Sequence, residues 1–230
     1  RIPFVCAVMQ RGGPSTATVI YAQQETRLTC FGGKGEGFRI VYSTAGHQDL
    51  YDYMIKAFNT AWKYRFPTYV LADGYQGKMR EPVMLYDPAS RGITMVPTTK
   101  SLLADGQIGI DRKSAHMRNT YNMEEELMNV LDGYQADFDK MSEEVQEWEE
   151  YKAEDAEILV IAHGIVARSA RTAIDELREK GIKAGLFRPI TIRPLAVKPL
   201  RAAVSRAKQI LFTESANGQL AQMVLEKLYG

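Results

Sequence analysis

The stretch EILVIAHGIVARSARTAIDELREKGIKAGLF, residues 157–187, contains two short apolar runs separated by an amphipathic segment. Runs of this length at residues 158–162 and 183–187 are typical of buried strands, and the apolar spacing between them predicts a helix over residues 166–180. Gly181 follows that helix directly, where a left-handed residue commonly ends a helix. Because strands and helices alternate and the strands are apolar throughout, the stretch predicts an α/β fold with a parallel sheet covered on both faces.

The same alternation runs through the rest of the chain. Apolar runs predict further strands at residues 3–9, 39–43, 68–72 and 209–213. Helical spacing predicts further helices at about residues 15–31, 50–62, 200–207 and 219–228. The second of these helices ends before Pro67, because the residue that precedes a proline disfavours the α region.

Changes in composition divide the chain into three parts. Residues 1–113 hold the first strands and helices and end in a long connection, from residue 73 onwards, that is rich in glycine, proline and aspartate. Residues 114–152 are predicted to be a helical linker, with a helix over residues 123–151. Residues 153–230 are predicted to form a second, smaller α/β domain. A connection this long is uncommon within one compact domain unless it carries function, so two domains are predicted.

The composition of the 230 residues excludes several classes of function. Lysine and arginine number 29 and aspartate and glutamate 28, so a net charge of +1 gives no overall field for nucleic acid or an anionic membrane. No stretch approaches the ~20 apolar residues that span a bilayer, and no signal peptide is recognisable, so a cytoplasmic location is expected. Cys6 and Cys30 cannot by themselves supply the ~four thiolates of an iron–sulfur cluster, and both are expected to be free buried thiols.

Three other motifs are interpreted as structural. The glycine-rich segment at residues 32–37 fits neither GxxxxGK[ST] nor GxGxxG and precedes a strand, so it predicts a turn rather than a nucleotide-binding loop. The histidines, His47, His116 and His163, lie far apart without a second ligand at metal-binding spacing, so no metal site is predicted. The Asp–Gly pair that begins at Asp73 is typical of a turn.

The sequence QRGGPST, residues 10–16, directly follows the first predicted strand. Ligands of open α/β sheets lie outside the carboxyl ends of the strands, and Arg11 stands at such an end. Its planar guanidinium can bind a carboxylate in a bidentate manner, and the two following glycines let a ligand approach the backbone. The alternative is an arginine that caps carbonyl groups or pairs with a neighbouring acid, and the pattern alone favours neither.

Four segments together resemble the alpha subunit of the 2-oxoacid:ferredoxin oxidoreductases, in particular the 2-oxoisovalerate and 2-oxoglutarate types. They are QRGGPST at residues 10–16, GGKGE at 32–36, ADGYQGKMREPV at 72–83 and GLFRPIT at 185–191. The segment ESANGQL at residues 214–220 is similar to the last strand and helix of that family. The resemblance covers the whole chain, and the segments occur in the family's order.

The resemblance implies an enzyme subunit that works with thiamine diphosphate. Such enzymes decarboxylate a 2-oxoacid oxidatively, pass the acyl group to coenzyme A and send electrons through iron–sulfur clusters to ferredoxin. The first domain would then be part of a pyrimidine-type thiamine-diphosphate-binding domain, and the second would be similar to the C-terminal domain of transketolase. Thiamine diphosphate and magnesium would lie at an interface with a beta subunit. The clusters would lie on partner subunits, with gamma and delta subunits among the partners.

By the same match, Arg11 would hold the carboxylate of the substrate. Gly12, Gly13 and Thr16 would shape the floor of the substrate pocket. The match assigns no residue of this chain to the cofactor.

The chain also departs from the family pattern. The family's activating glutamate lies upstream of the matching region, and no Gly-Asp-Gly…Asn arrangement for a magnesium diphosphate is present, so the chain is expected to be inert alone. Since Arg1 leads directly into an apolar run, upstream sequence is expected to be missing. Lys34 stands where many relatives have histidine. Ile20 replaces a polar residue of the 2-oxoglutarate type, which favours an apolar 2-oxoacid.

Alternative functions stay open. One is a non-catalytic α/β subunit that serves assembly only, or another protein with a transketolase-like domain. Another is an unrelated nucleotide-binding α/β protein.

Overall fold

The computed structural model describes residues 2–14, 21–33, 37–96 and 120–229. The strands are β1 (Val5–Gln10), β2 (Ile40–Ser43), β3 (Thr68–Asp73), β4 (Trp148–Tyr151), β5 (Ile158–Ile161), β6 (Ala184–Pro189), β7 (Thr191–Arg193) and β8 (Gln209–Phe212). The helices are α1 (Thr26–Phe31), α2 (His47–Tyr64), α3 (Glu124–Val145), α4 (Gly164–Glu179), α5 (Val197–Arg206) and α6 (Gln219–Leu228), with a short 3-10 turn at Pro88–Arg91. None of these helices is long and apolar enough to cross a membrane.

The described residues form two four-stranded sheets. The first has the order β1-β3-β2-β7, in which β1, β3 and β2 are parallel and β7 is antiparallel to β2. The second has the order β4-β6-β5-β8, in which β6, β5 and β8 are parallel and β4 is antiparallel to β6. The parallel strands are apolar because helices cover them, and the predicted α/β fold class is confirmed.

The two sheets exchange strands across the predicted domain division at residue 153. Strand β4 precedes that division and lies in the second sheet, whereas β7 follows it and lies in the first. One apolar cluster combines Val41 and Leu71 of the first sheet with Leu159 and Phe187 of the second. The two α/β parts therefore share a core, and the division into 1–113, 114–152 and 153–230 stays a prediction.

Two helix predictions are wrong in part. The helix predicted over residues 15–31 is limited to α1, because residues 21–25 form a bridge and a turn, and residues 15–20 lie outside the described residues. The helix predicted as far as Tyr151 ends at Val145, and β4 follows it. The hydroxyl of Thr191 donates to the Val145 carbonyl at 2.8 Å and accepts from the Glu147 N–H at 3.0 Å. This tertiary contact ends the helix where the local sequence would continue it.

The other elements follow the predicted pattern. The remaining predicted strands and helices are present, and Gly181 has a left-handed φ of 78° after α4. Strand β7 was not predicted. Residues 74–96, in the predicted long connection, contain a turn at residues 74–78 and the 3-10 turn but no strand or α-helix, and residues 97–119 lie outside the described residues.

Gly185 of β6, the first residue of the family-like segment at residues 185–191, lies where the backbone is too crowded for a side chain. A Cβ atom at this position would lie 2.4 Å from the carbonyl oxygen of Lys152 and 2.8 Å from the Cα of Ala153. The backbone that follows β4 therefore passes so close to β6 that only glycine leaves enough space at this position.

The strand exchange predicts that both sheets unfold in one transition. The two tryptophans report on different sheets, since Trp62 lies in α2 beside the first and Trp148 lies in β4 of the second. The single-tryptophan variants Trp62→Phe and Trp148→Phe should give the same urea midpoint by fluorescence, because neither sheet is complete without a strand from the other part.

A core substitution should move both midpoints together. Ile192→Ala, at a residue 1% exposed in the shared cluster, should cost about 2–4 kcal/mol by both probes. Ile182→Ala, at a residue 39% exposed, is the matched control and should cost much less. Separate transitions, or a loss seen by one tryptophan only, would contradict the shared core.

Candidate functional site

One buried side chain, Gln23, contacts the carboxyl ends of two neighbouring parallel strands of the second sheet. Its Nε2 donates to the carbonyl of His163, which follows β5, at 2.9 Å. Its Oε1 accepts from the N–H of Ser215, which follows β8, at 3.0 Å, and its own N–H donates to the Ser215 carbonyl at 2.8 Å. Ligands of open α/β sheets lie outside such strand ends, so this edge is the candidate site.

Arg11 lies at this edge, directly after β1, and is half-buried. Its backbone N–H donates to the carboxylate of Glu25 at 2.8 Å, and the N–H of Gly13 donates to Oε1 of Gln24 at 2.6 Å. A backbone bridge joins Arg11 to Tyr21. The side chains and backbone of residues 21–25 therefore hold the arginine loop in place.

The structure brings together three of the four predicted site residues. Arg11 and Gly12 are half-buried and Gly13 is exposed, all in the loop that follows β1. Thr16 lies outside the described residues, as does Lys34. The glycine-rich segment at residues 32–37 is described only in part, and β2 follows it as predicted.

Ser43 and His163 form a direct contact between the two sheets. The hydroxyl of Ser43, the last residue of β2, lies 2.8 Å from Nδ1 of His163, and both side chains are buried. Nε2 of His163 is also buried and has no hydrogen-bond partner among the described residues. Burial, with a smaller contribution from the positive charge of Arg188, lowers the pKa of His163 from 6.5 to about 4. The imidazole is therefore neutral at pH 7 and connects the sheets without carrying charge.

Gly164 lies between these two contacts. Its φ is +58°, and a Cβ atom there would lie 2.8 Å from Nε2 of Gln23 and 3.3 Å from the hydroxyl of Ser43. The first residue of α4 must therefore be glycine for the two sheets to approach each other.

Asp73 ends β3 opposite Gln10 and is buried. One carboxylate oxygen accepts from the N–H of Gln76 at 2.9 Å, and the N–H of Asp73 donates to Oε1 of Gln76 at 3.1 Å. The other oxygen is buried without a hydrogen-bond partner among the described residues, and burial raises the pKa of the carboxyl group. The predicted turn is present at residues 74–78, and it places the Tyr75 ring edge-on to Tyr21, with 4.9 Å between ring centroids.

A cleft of about 520 Å³ opens between these strand ends and α4. We call it the inter-sheet cleft. It is lined by Tyr21, Asp73, Tyr75, Met79, Ile165, Val166, Arg168, Ser169, Thr172 and Ser215. Its volume is in the range of small-molecule sites.

Comparison with known proteins identifies the family. Residues 1–150 match the family described as pyruvate flavodoxin/ferredoxin oxidoreductase, thiamine-diphosphate-binding, and residues 156–230 match pyruvate:ferredoxin oxidoreductase core domain II. The chain belongs to the pyruvate flavodoxin/ferredoxin oxidoreductase family. The resemblance found in the sequence is confirmed.

Two curated relatives are subunits of oxidoreductases in this family. Ketoisovalerate oxidoreductase subunit VorB of Methanothermobacter marburgensis is 30% identical over 222 residues, which are 96% of this chain and 61% of that protein. The 2-oxoglutarate synthase subunit KorA of Methanocaldococcus jannaschii is 29% identical over 236 residues, covering 95% of this chain and 64% of that protein. The chain thus spans less than two thirds of the length of these relatives.

A solved structure of the family has the same fold. The 2-oxoglutarate:ferredoxin oxidoreductase from Magnetococcus marinus, with 2-oxoglutarate, coenzyme A and succinyl-CoA bound, superimposes with a TM-score of 0.80. The match covers 99% of this chain and 44% of that one, at 21% sequence identity. At this identity the likeness concerns the fold.

A magnesium-bound diphosphate needs several oxygen ligands around the ion. Within the described ranges, no three His, Cys, Asp or Glu side chains come together as a metal site. What this family member offers at the sheet edge is a guanidinium, which fits an organic acid.

Sequence reasoning missed Gln23, Ser43 and His163, and it interpreted Asp73 only as part of a turn. A signal was present for the last three, because each stands at or just after the end of a predicted strand, as Arg11 does. Nothing local marks Gln23, since its partners are 140 and 192 residues away in the chain.

The lowered pKa of His163 predicts an acid-sensitive connection between the sheets. The unfolded chain binds a proton near pH 6.5, whereas the folded protein does not until about pH 4. Above pH 6.5 the free energy of unfolding is therefore unaffected by protonation of His163. As the pH is lowered, the unfolded chain binds the proton first, and the free energy of unfolding falls by about 3 kcal/mol at pH 4.

His163→Asn keeps an acceptor for Ser43 and removes the titrating group. The free energy of unfolding from urea titrations at pH 7, 6, 5 and 4 should fall less steeply in this variant than in the natural protein. Parallel curves for the two proteins would contradict a buried neutral histidine.

Proposed function

We propose that this chain is the alpha subunit of a thiamine-diphosphate-dependent 2-oxoacid:ferredoxin oxidoreductase. The enzyme would decarboxylate a 2-oxoacid oxidatively to acyl-CoA and pass the electrons to ferredoxin. The observation that carries the proposal is the position of Arg11, half-buried at the carboxyl end of β1 in a loop whose backbone N–H groups are bound by Glu25 and Gln24.

Arg11 would bind the carboxylate of the 2-oxoacid. Its Nη1 donates to the carbonyl of Gly12 at 3.3 Å, which orients the guanidinium within the loop. A planar guanidinium fixes a carboxylate in one plane, and so fixes the direction of the neighbouring keto carbon. The negative charge leaves as CO₂ in the reaction, so the arginine should orient the acid without holding the charge too firmly. Gly12, Gly13 and Thr16 would complete the pocket floor.

Cofactors and partners follow from this role. Thiamine diphosphate would supply the electron sink for decarboxylation when it is bound, with magnesium, at an interface with the beta subunit. Iron–sulfur clusters would lie on partner subunits, because this chain has only Cys6 and Cys30. Burial raises the pKa of Cys30 to about 12, which disfavours the thiolate that a cluster requires. Gamma and delta subunits, ferredoxin and coenzyme A complete the proposed partners.

Two further proposals concern the state of the chain in the cell. The two free thiols support a reducing, cytoplasmic compartment. The chain would be inactive without its partner subunits, because the cofactor would lie at an interface with the beta subunit.

Arg11→Ala in the assembled enzyme should raise KM for the 2-oxoacid and lower kcat/KM by about 10–100-fold, because a charge-assisted contact is lost. Arg11→Lys should recover only part of this loss, since an ammonium group cannot bind a carboxylate in a bidentate manner. Steady-state rates of ferredoxin reduction measure both effects.

The matched control is Arg27→Ala, at an exposed arginine that contacts Gln222 away from the Arg11 loop. It should leave the kinetics unchanged. Unchanged kinetics in Arg11→Ala would remove the proposed role. A stable assembly without thiamine diphosphate or 2-oxoacid oxidation would favour a non-catalytic assembly subunit instead.

A further inference from the structure

We propose that the inter-sheet cleft receives the side chain of the 2-oxoacid and selects an uncharged, apolar acid over one that carries a second carboxylate. This inference rests on the proposed function and extends it to the class of substrate.

The cleft begins next to Arg11. Tyr21 forms the backbone bridge with Arg11, and its side chain lines the cleft together with Tyr75. Asp73, also in the lining, pairs in the sheet with Gln10, the residue before Arg11. A 2-oxoacid whose carboxylate lies on the guanidinium has only a few bonds between that carboxylate and its side chain. The cleft, which Tyr21 lines beside Arg11, is a cavity of suitable size for that side chain.

The walls of the cleft are largely apolar. Two tyrosine rings stand at one side, and Met79, Ile165 and Val166 contribute aliphatic surface from the turn after β3 and from the first turn of α4. Such walls gain free energy when they cover an aliphatic or branched chain, at ~25 cal/mol per Å² of apolar surface. They gain nothing from a charged end group, which would lose its hydration there.

The charges around the cleft also disfavour a second carboxylate. Arg168 is the single lysine or arginine in the described lining, and its guanidinium is paired with the carboxylate of Glu81. Glu81 also accepts from the backbone N–H of His47 at 3.0 Å and lies 2.8 Å from Nδ1 of the same histidine. These contacts with His47, and then Arg168, lower the pKa of Glu81 to about 2. The positive charge of Arg168 is therefore matched throughout the physiological pH range.

The one carboxyl group of the described lining, that of Asp73, has the wrong sign for a carboxylate ligand. It is buried, and it accepts from the backbone N–H of Gln76 at 2.9 Å rather than from a cation. A second carboxylate in the cleft would meet a carboxyl group and an arginine that already has a partner. A site discriminates most strongly against ligands that leave buried polar groups unpaired, so the apolar acid is preferred.

The test compares substrates in the assembled enzyme. Initial rates of ferredoxin reduction are measured with 2-oxoisovalerate, which has a branched apolar chain, and with 2-oxoglutarate, which has a distal carboxylate. The natural enzyme should show the higher kcat/KM with 2-oxoisovalerate, by about tenfold or more.

Two variants should change this ratio in a known direction. Ser169→Arg adds an unmatched guanidinium from an exposed position of the lining, and Glu81→Gln releases the guanidinium of Arg168. Each should shift the ratio of kcat/KM values toward 2-oxoglutarate, by about tenfold for a new charge-assisted contact. Ala173→Arg is the matched control, because this residue is exposed on the same helix and is outside the lining. It should leave the ratio unchanged.

The outcomes separate this inference from the proposed function. If the natural enzyme oxidises 2-oxoacids but Ser169→Arg behaves like Ala173→Arg, with both folded by circular dichroism, the cleft does not hold the acyl chain. If the natural enzyme prefers 2-oxoglutarate and Arg168→Ala abolishes that preference, the cleft selects a dicarboxylic acid and the inference is overturned. If the natural assembly oxidises no 2-oxoacid, the proposed function itself fails, and the inference fails with it.

Discussion

The carboxamide of Gln23 ties the segment at residues 21–25, which holds the Arg11 loop, to the strand ends of the second sheet, and the geometry of the site depends on these contacts. Its oxygen and nitrogen bind the backbone beyond β8 and β5, respectively, while the hydroxyl of Ser43 contacts His163 beside it. The side chains of Gln23, Ser43 and His163 are buried, and a buried amide or hydroxyl group without partners would cost a few kcal/mol. The sheets therefore approach in the arrangement that keeps the Gln23 carboxamide and the Ser43 hydroxyl hydrogen-bonded. Gly164, where a side chain would collide with Gln23, is part of the same constraint.

The exchange of short strands also holds the two sheets together. Strand β7 lies against β2 in the first sheet, and β4 lies against β6 in the second, so each sheet borrows an antiparallel edge from the other part of the chain. Thr191 connects the two exchanged segments through Val145 and Glu147. A subunit built in this way holds its strand ends rigidly, and rigid elements are what a site needs to fix the direction of a small substrate.

Two arginines beside the site differ in what surrounds them. Arg11 sits in a loop whose backbone N–H groups are bound by Glu25 and Gln24, with its guanidinium at the sheet edge. Arg168 lies across the inter-sheet cleft, and its charge is matched by Glu81. In the proposed site, the guanidinium of Arg11 would bind the carboxylate of the acid, whereas the charge of Arg168 is matched by Glu81 at the other end. The two ends of the proposed substrate site would therefore present different groups to the ligand.

The sequence by itself determined the periodic part of the structure and the position of Arg11. Apolar runs bounded by turn residues indicate the strands at 68–72 and 158–162, and a polar residue after a buried strand must lie at the sheet edge, so local patterns sufficed. Only the tertiary structure decided the positions of β4 and β7 and the contacts of Gln23. Residues 148–151 and 191–193 are too short and too polar to show a period, and their pairing is set by strands that are distant in the chain. Ser43 and His163 are 120 residues apart, and a contact at such separation depends on how the sheets pack, which no local spacing records.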